Sequence, residues 1–401
     1  MDVDTEEKPL QRFELAKSVV AALPRAPTNQ EDDNINSDGD EEPGFEYVTH
    51  MDRSCSDGQL AAALTSREIK LYARDTMLQG GELAGHTGAL TQLAYAPSDD
   101  NALFSASEDG TVRGWDTRSG ASTFKFGQSG EEIWSMALGY DGHLCAAGKG
   151  CTVEFFDLRK SGTPLGTYSE CHTDAVTQVR LCFHPHKHSF LLTGSEDGLM
   201  CYFDTGVSSE EDALDSVMNA ECAVRTVGFF GSGGEGVYCC SNTETLSLWH
   251  ASGAQRIADF GDVRVLARGE KSETEAGAGD GDSKTSEGEP GGKEWGVPVD
   301  SIVGCRYDSE ADRLWLVTGR FEGGACLATV SPGGITPEAV LAGGHSEQVR
   351  AFDWLGKTIA TGGEDAKVCL WRVPGSGSAV GGGEEDDDAM GDSSGAGAAR
   401  E

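Results

Sequence analysis

Residues 103–116 read LFSASEDGTVRGWD, and the same pattern recurs as LLTGSEDGLMCYFD (191–204) and TIATGGEDAKVCLWR (358–372). Each copy begins with a short apolar run, turns on an acidic residue beside a small one, and continues as an alternating run that ends in an aromatic residue. Alternation with a period of two is typical of β-strands. Self-similarity of this kind indicates a repeat protein built from small antiparallel sheets.

The copies also share the spacing of their polar residues. In each copy a Ser or Thr lies four residues before an Asp, and an aromatic residue lies six residues after it. A His stands upstream of each copy, at His86, His172 and His345. This pattern resembles the WD-repeat (WD40) β-propellers, in which Gly-His opens a repeat and Trp-Asp closes it.

The resemblance implies a buried network that locks each complete repeat, in which the His bonds the turn Asp and the Ser/Thr and the aromatic position complete the set. Carried to this sequence, the sets are His86, Ser105, Asp109 and Trp115; His172, Thr193, Asp197 and Phe203; and His345, Thr361, Asp365 and Trp371. Phe203 stands where the family has Trp, so the second set lacks the indole donor. A buried carboxylate is costly without partners, and pairing it with a His holds two loops in one register. A catalytic Ser-His-Asp triad is the alternative interpretation, but a triad occurs once and needs an exposed Ser beside an oxyanion hole.

Weaker copies fill the intervals, at residues 45–73, 132–157, 222–250 and 299–330, and they bring the total to seven. Gly150 and Thr243 occupy the Asp position in two of them. We therefore predict an all-β fold, a seven-bladed WD-repeat β-propeller over residues 11–373. The last repeat ends after three strands, so we expect residues 11–20 to pair with residues 366–373 and close the ring, which removes the free sheet edges.

The formal net charge is −36, and half of it lies in residues 1–43, 268–296 and 374–401. Segments rich in Gly, Ser, Asp and Glu do not bury a core. We therefore expect a disordered acidic N-terminus at 1–10, an acidic linker at 25–44, a disordered insertion at 268–296 between blades five and six, and a disordered acidic tail at 374–401. By strand order, the linker and the insertion open on the face that carries the three His residues.

Composition also limits the partners and the compartment. An acidic surface repels phosphate backbones and anionic lipids, so we expect no nucleic-acid and no membrane partner, whereas a basic protein fits. The first ten residues lack the apolar core of a secretory signal, and no run of 18 apolar residues exists. We therefore expect a monomeric protein that is cytoplasmic and/or nuclear and not secreted, with its twelve cysteines as free thiols.

Few residues outside the repeat pattern offer chemistry. His184, His186 and His188 alternate in FHPHKH (183–188) and could present imidazoles to a metal ion. A surface turn at the end of an innermost strand explains them equally well. The sequence contains neither a phosphate-binding loop nor a C-x-x-C pair. We therefore predict no catalytic residue, no metal and no cofactor.

Two successive repeats end their third strand in aromatic-Asp-x-Arg, first as Trp115-Asp116-Thr117-Arg118 and then as Phe156-Asp157-Leu158-Arg159. In WD-repeat proteins that recruit substrates to cullin-4 ubiquitin ligases, a similar Trp-Asp-x-Arg box on two successive blades contacts the adaptor propeller of the ligase. The resemblance implies a set of candidate partner-binding residues: Trp115, Asp116, Arg118, Asp157 and Arg159. The alternative is structural, with each Arg bridging neighbouring blades.

The leading hypothesis is a non-enzymatic protein-protein interaction scaffold, because a propeller fixes many variable loops on one rigid ring. A second hypothesis is a substrate receptor of a cullin-4 ubiquitin ligase, which depends on Arg118 and Arg159. A third is an escort or chaperone for a basic client such as a histone or a ribosomal protein, which depends on the acidic segments. An enzyme would need a reactive pair that stands apart from the repeat pattern, and the sequence shows none.

Overall fold

The computed structural model of the chain describes residues 10–21, 46–127, 130–139, 142–160, 163–182, 190–207, 209–270, 294–355 and 358–373. The predicted acidic linker at 25–44, the predicted tail at 374–401 and the alternating His residues at 183–188 lie outside these residues. Of the predicted insertion at 268–296, residues 271–293 lie outside the described residues, and both of its described ends belong to the fold. Trp295 is buried, and its backbone N–H donates to the Ala267 carbonyl at 3.1 Å.

Seven antiparallel sheets, numbered here as blades one to seven, follow one another along the chain. Two short strands precede them: β1 (Gln11–Arg12) and β2 (Glu14–Val20). Blade one consists of β3 (Val48–Arg53), β4 (Gln59–Leu64), β5 (Ile69–Ala73) and β6 (Leu78–Leu83). Blade two consists of β7 (Leu90–Ala96), β8 (Asp99–Ser107), β9 (Val112–Asp116) and β10 (Ala121–Phe126). Blade three consists of β11 (Ile133–Leu138), β12 (Leu144–Lys149), β13 (Thr152–Asp157) and β14 (Gly166–Tyr168).

The remaining blades repeat this order, with two short helices in their connections. Blade four consists of β15 (Val176–Cys182), β16 (Phe190–Ser195), β17 (Leu199–Asp204), the helix α1 (Glu210–Ala213) and β18 (Leu214–Asn219). Blade five consists of β19 (Val224–Phe230), β20 (Gly236–Ser241), β21 (Thr245–His250) and β22 (Gln255–Asp262), followed by α2 (Val263–Ala267). Blade six consists of β23 (Ser301–Asp308), β24 (Arg313–Gly319), β25 (Ala325–Ser331) and β26 (Gly334–Leu341). Blade seven contains β27 (Val349–Leu355), β28 (Thr358–Gly363) and β29 (Lys367–Arg372).

The first strand of every blade contacts the first strands of the blades beside it, and β27 contacts β3, so these strands form a closed inner ring. The described residues form seven hydrophobic clusters, and each cluster lies between two adjacent blades. Between blades one and two, for example, Ala61 and Leu71 pack with Leu103 and Trp115. The molecule is therefore a seven-bladed β-propeller, as predicted, whose core is divided among its blade interfaces.

Each innermost strand contains one bulge, placed one residue after a buried apolar side chain. In three blades the bulged residue donates to the first strand of the next blade. Thr91 donates to the Ile133 carbonyl at 2.7 Å, Thr177 donates to the Val224 carbonyl at 2.6 Å, and Arg225 donates to the Ile302 carbonyl at 2.7 Å. Because a bulge re-aims a side chain, these three blades are fastened to their neighbours by a hydrogen bond as well as by apolar packing.

The antiparallel order gives the ring two faces. The His face carries the loops that enter the innermost strands, with His86, His172 and His345, and the turns between second and third strands. The Arg face carries the turns between first and second strands and those between third and fourth strands, which include Arg118 and Arg159.

The N-terminal strand closes the ring, which confirms the prediction. The strand β2 pairs antiparallel with β29 and supplies the fourth strand of blade seven. The predicted single strand at 11–20 is divided, however, because β1 pairs in parallel with β26 of blade six. Between the two strands, Phe13 enters the cluster of Val317, Leu327 and Trp371. The N-terminal segment thus joins the last two blades to each other.

We expect Phe13→Ala to lower the free energy of unfolding by about 3 kcal/mol, because it empties a buried aromatic site at the point of closure. The control is Leu15→Ala on the same segment. Leu15 is 39% exposed, so its truncation costs only about 0.5 kcal/mol. Urea unfolding followed by tryptophan fluorescence measures both values. Equal losses for the two variants would contradict a closing role for Phe13.

Candidate interaction sites

In blade two the structure brings together all four residues of the first predicted set. His86 Nδ1 lies 2.9 Å from Asp109 Oδ2, and His86 Nε2 lies 2.7 Å from Ser105 Oγ. Trp115 Nε1 donates to the same Ser105 Oγ at 2.8 Å. The side chains of His86 and Asp109 are 1% and 6% exposed, so the network is shielded from water.

The direction of each hydrogen bond follows from the charge of Asp109. Burial raises the pKa of Asp109, but hydrogen bonds from Thr111, Thr87 and His86 outweigh burial and lower this pKa to about 2. An ionised carboxylate only accepts, so His86 Nδ1 donates to it and Nε2 accepts the Ser105 proton. Burial lowers the pKa of His86, which keeps the ring neutral. Because Ser105 is fully buried, no substrate reaches its hydroxyl, and the arrangement differs from a catalytic triad in that respect.

Blade seven repeats this network with a Thr in place of the Ser. His345 Nδ1 lies 2.9 Å from Asp365 Oδ1, and His345 Nε2 lies 2.8 Å from Thr361 Oγ1. Trp371 Nε1 donates to Thr361 Oγ1 at 2.7 Å. Burial raises the pKa of Asp365, but the hydrogen bonds from His345 and the Ser346 backbone lower it overall.

Blade four lacks the aromatic donor, as the sequence predicts. His172 Nε2 lies 2.7 Å from Thr193 Oγ1, and His172 Nδ1 lies 3.2 Å from Asp197 Oδ2. Phe203 is fully buried at the position of the Trp. It supplies apolar area but no N–H, so the Thr193 hydroxyl accepts no bond from this position.

Blade five has lost the Ser/Thr position as well as the turn Asp. Cys239 of β20 takes the Ser/Thr position, because it pairs with Val227 of β19 just as Ser105 pairs with Leu93 in blade two. The indole of Trp249 then donates to Ser247 on its own strand at 2.8 Å. In the turn, the Ser241 hydroxyl bonds Thr243 at 2.8 Å and Thr245 at 2.6 Å. Local side chains therefore satisfy this turn without a His from the preceding loop.

The two aromatic-Asp-x-Arg motifs adopt the same conformation on adjacent blades. Asp116 accepts from the backbone N–H of Arg118 at 3.0 Å and from its Nε at 3.3 Å. Asp157 accepts from the corresponding atoms of Arg159 at 3.0 and 2.9 Å. The two arginine side chains are 72% and 63% exposed.

Trp115, the first of the predicted partner-binding residues, is 3% exposed, and its indole is bonded inside its blade. Phe156 is buried in the same way. Asp157 is also buried, at 8% exposed, so the arginine side chains are the parts of these motifs that reach the surface most fully. The alternative interpretation, that each Arg bridges neighbouring blades, does not fit Arg118, which bonds Asp116 of its own turn.

The described loops of the His face are acidic even without the segments at 25–44 and 271–293. Their exposed carboxylates are Glu131, Glu132, Glu170, Asp174, Glu196, Glu221, Glu270, Glu294, Glu322 and Glu347. Among the same described loops, the exposed arginines are Arg67 and Arg268. The ring of loops therefore presents a negative potential to solvent.

One buried ionic group gave no signal in the sequence. Arg74 of blade one donates to Asp353 of blade seven at 2.9 Å, and both side chains are 3% exposed. Arg53 Nε lies 3.2 Å from the same carboxylate, and Arg74 also donates to Thr358 at 3.0 Å. The pair joins the two blades that meet at the closure, across 279 residues of sequence.

The described part of the chain contains no group of three or more His, Cys, Asp or Glu residues arranged to hold a metal ion. No described helix is both long enough and apolar enough to cross a membrane. All twelve cysteines are free thiols.

The seven blades, with three of them locked through His and Asp, define a propeller of the WD type. A family model described as WD domain, G-beta repeat, matches residues 79–116, 162–204 and 336–372. The chain is 32% identical over 359 residues to WD repeat-containing protein GTS1 of Arabidopsis thaliana, and the alignment covers 82% of each protein. The chain belongs to the WD-repeat family.

Two further relatives differ in how much of the chain they match. The WD repeat-containing protein 89 homolog of Dictyostelium discoideum is 29% identical over 324 residues, which is 80% of this chain and 82% of that protein. A shorter match of 28% over 187 residues is to ribosome biogenesis protein ytm1 of Aspergillus terreus, covering 45% of this chain and 38% of that protein. The first of these similarities spans the ring, whereas the second spans less than half of the chain.

We expect Trp115→Phe to lower the free energy of unfolding by about 1 kcal/mol more than Trp315→Phe does. Both changes remove the same ring volume. The first also removes the hydrogen bond to Ser105, whereas the Trp315 Nε1 atom is buried with no hydrogen-bond partner among the described residues. Urea unfolding of the two variants checks the difference. Equal losses would show that the indole bond does not lock blade two.

Proposed function

We propose that this chain is a non-enzymatic scaffold that binds a basic segment of a partner protein on its His face. The observation that carries the proposal is the set of ten exposed carboxylates on the described loops of that face. Lysine and arginine side chains of a partner would meet a complementary potential there, which gives specificity and fast association.

The locks of blades two, four and seven support a scaffold rather than an enzyme. Their hydroxyl groups, on Ser105, Thr193 and Thr361, are fully buried, so none is available as a nucleophile. Each lock fixes the loop that carries its His against the turn that carries its Asp. The exposed Glu196 directly precedes one of these fixed turns, and its backbone N–H donates to the Ala175 carbonyl at 3.0 Å. Its backbone is therefore held in place before a partner arrives, which lowers the entropy cost of binding.

The test uses a lysine- and arginine-rich peptide and the full chain in a fluorescence anisotropy titration. We expect the double variant Glu196→Lys with Glu347→Lys to bind the peptide about tenfold more weakly than the wild type does. We also expect the affinity of the wild type to fall when salt is raised from about 0.1 M to about 0.5 M. The matched control is Glu310→Lys, because Glu310 is exposed on a turn of the Arg face. If the control weakens binding as much as the double variant does, the His face is not the site.

The matching Asp–Arg pairs favour a second candidate function, a substrate receptor of a cullin-4 ubiquitin ligase. Arg118 and Arg159 are exposed on adjacent blades, and each is oriented by the carboxylate two residues before it. A guanidinium held in this way offers its remaining N–H groups as a planar fork to a partner's carbonyl or carboxylate oxygens. This surface lies on the Arg face, so it does not compete with a ligand on the His face.

For this second function we expect Arg118→Ala with Arg159→Ala to abolish co-precipitation of the ligase's adaptor propeller. The double variant should keep the wild-type unfolding midpoint, because both side chains are mostly exposed. Arg67→Ala with Arg268→Ala on the opposite face is the control and should leave co-precipitation unchanged. Wild-type recovery of the adaptor by the first double variant would exclude the receptor role.

A further inference from the structure

A cavity of about 670 Å³ lies in the inner ring, between the innermost strands of blades one, four, five, six and seven. Its wall carries four arginines and one histidine: Arg180, Arg225, Arg306, Arg350 and His50. Among the described residues no carboxylate lines the cavity, although the whole chain has a formal net charge of −36. A positive cavity inside so acidic a protein does not follow from its composition.

Three of the arginines are anchored by carboxylates from outside the cavity wall. Arg225 Nη1 lies 2.9 Å from Glu244, and Arg350 Nε donates to Glu364 at 2.6 Å. Arg306 lies 3.6 Å from Asp353, and that carboxylate is shared with the two arginines of the closure. The anchors orient the guanidinium groups and neutralise part of their charge.

Arg180 differs from the other three. Its Nη1 donates to the Val179 carbonyl at 3.2 Å, and among the described residues it forms no ion pair. Burial lowers the pKa of Arg180, but a guanidinium remains protonated at neutral pH. Tyr238 and Asp52 offset the burial of Arg180 only in part. Because no described carboxylate forms a direct ion pair with this cation, a bound anion would offset the remaining cost of burying it.

His50 points to a ligand in the same place. Its Nδ1 atom is buried with no hydrogen-bond partner among the described residues. Burial, together with the charge of Arg180, lowers the pKa of His50 to about 4, so this ring is neutral at physiological pH and can accept or donate a hydrogen bond. Buried polar atoms normally have a hydrogen-bond partner. An unpaired one at a cavity wall therefore indicates that a bound ligand supplies the partner.

The room in the cavity comes from small residues at two of its walls. In the register of the inner strands, the position of His50 in blade one is taken by Gly304 in blade six and by Ala351 in blade seven. The resulting volume falls within the roughly 300–1,000 Å³ of small-molecule sites. A compact ligand therefore fits, with guanidinium groups on several sides of it.

We propose that this central cavity binds a small polyanion that carries several phosphate groups. Arginine forks match phosphate oxygens in a bidentate manner, and four of them around one cavity suit a ligand with several charges close together. An acidic peptide fits less well, because its carboxylates are spread along an extended chain, whereas the phosphate groups of a compact ligand lie close together in a cavity of this size.

Isothermal titration calorimetry on the full chain tests the proposal, with inositol hexakisphosphate and inorganic pyrophosphate as probes and a hexaglutamate peptide as the comparison. We expect the hexakisphosphate to bind, pyrophosphate to bind more weakly, and the peptide not to bind. Arg180→Met and Arg350→Gln should each lower the affinity for the hexakisphosphate about tenfold. The matched control is Arg118→Met, which removes the same charge from a side chain that is 72% exposed on the outer turn of blade two.

Circular dichroism of each variant separates lost binding from lost folding. If Arg180→Met does not fold, Arg350→Gln decides the question, because Arg350 is exposed. The proposal is overturned if neither phosphate probe binds at about 1 mM, if Arg118→Met weakens binding as much as the cavity variants do, or if the peptide binds and the phosphates do not. Binding of a basic peptide to the His face is a separate measurement, so its failure would leave this result unaffected.

Discussion

Ring closure is the constraint on which the rest of the structure depends. Each blade covers its apolar side chains only against the next blade, so the described chain holds one hydrophobic cluster for each of its seven interfaces. Six interfaces join blades that follow each other directly in the chain. The seventh joins blade seven to blade one, and it must form between segments that are far apart in sequence. Without it, two sheets would expose apolar faces and unpaired edges.

Two kinds of interaction complete that interface. The β2–β29 pairing completes the sheet of blade seven and brings Val19 and Ala21 into the cluster shared with blade one, while the buried Arg74–Asp353 pair fixes how blades one and seven meet. Closing a long loop costs only slightly more entropy than closing a short one, since the cost grows with the logarithm of loop length. A short N-terminal strand with one aromatic anchor, Phe13, is therefore enough to hold a ring of seven sheets, even though each sheet alone is marginal.

The sequence predicted the features that recur from blade to blade, and it gave no signal for the features that occur at one place only. A fixed spacing of His, Ser/Thr, Asp and Trp placed the networks of blades two and seven, and strand alternation alone placed the four weaker blades. The Arg74–Asp353 pair has no local pattern, so only the closed ring reveals it. The division of the N-terminal strand between two blades and the burial of Trp295 also depend on tertiary contacts. The same holds for the cavity, because its arginines come from four different blades.

The bulge in each innermost strand connects the fold to both proposed ligand sites. In blades two and four the bulged residue is a threonine that bonds the next blade. In blades five and seven it is Arg225 or Arg350, which lines the cavity and is held by a glutamate of the neighbouring turn, Glu244 or Glu364. Those glutamates belong to turns of the His face. Glutamates of that face therefore have two roles, which fall to different residues. Exposed ones such as Glu196 give the face its charge, whereas Glu244 and Glu364 orient guanidinium groups at the centre of the ring.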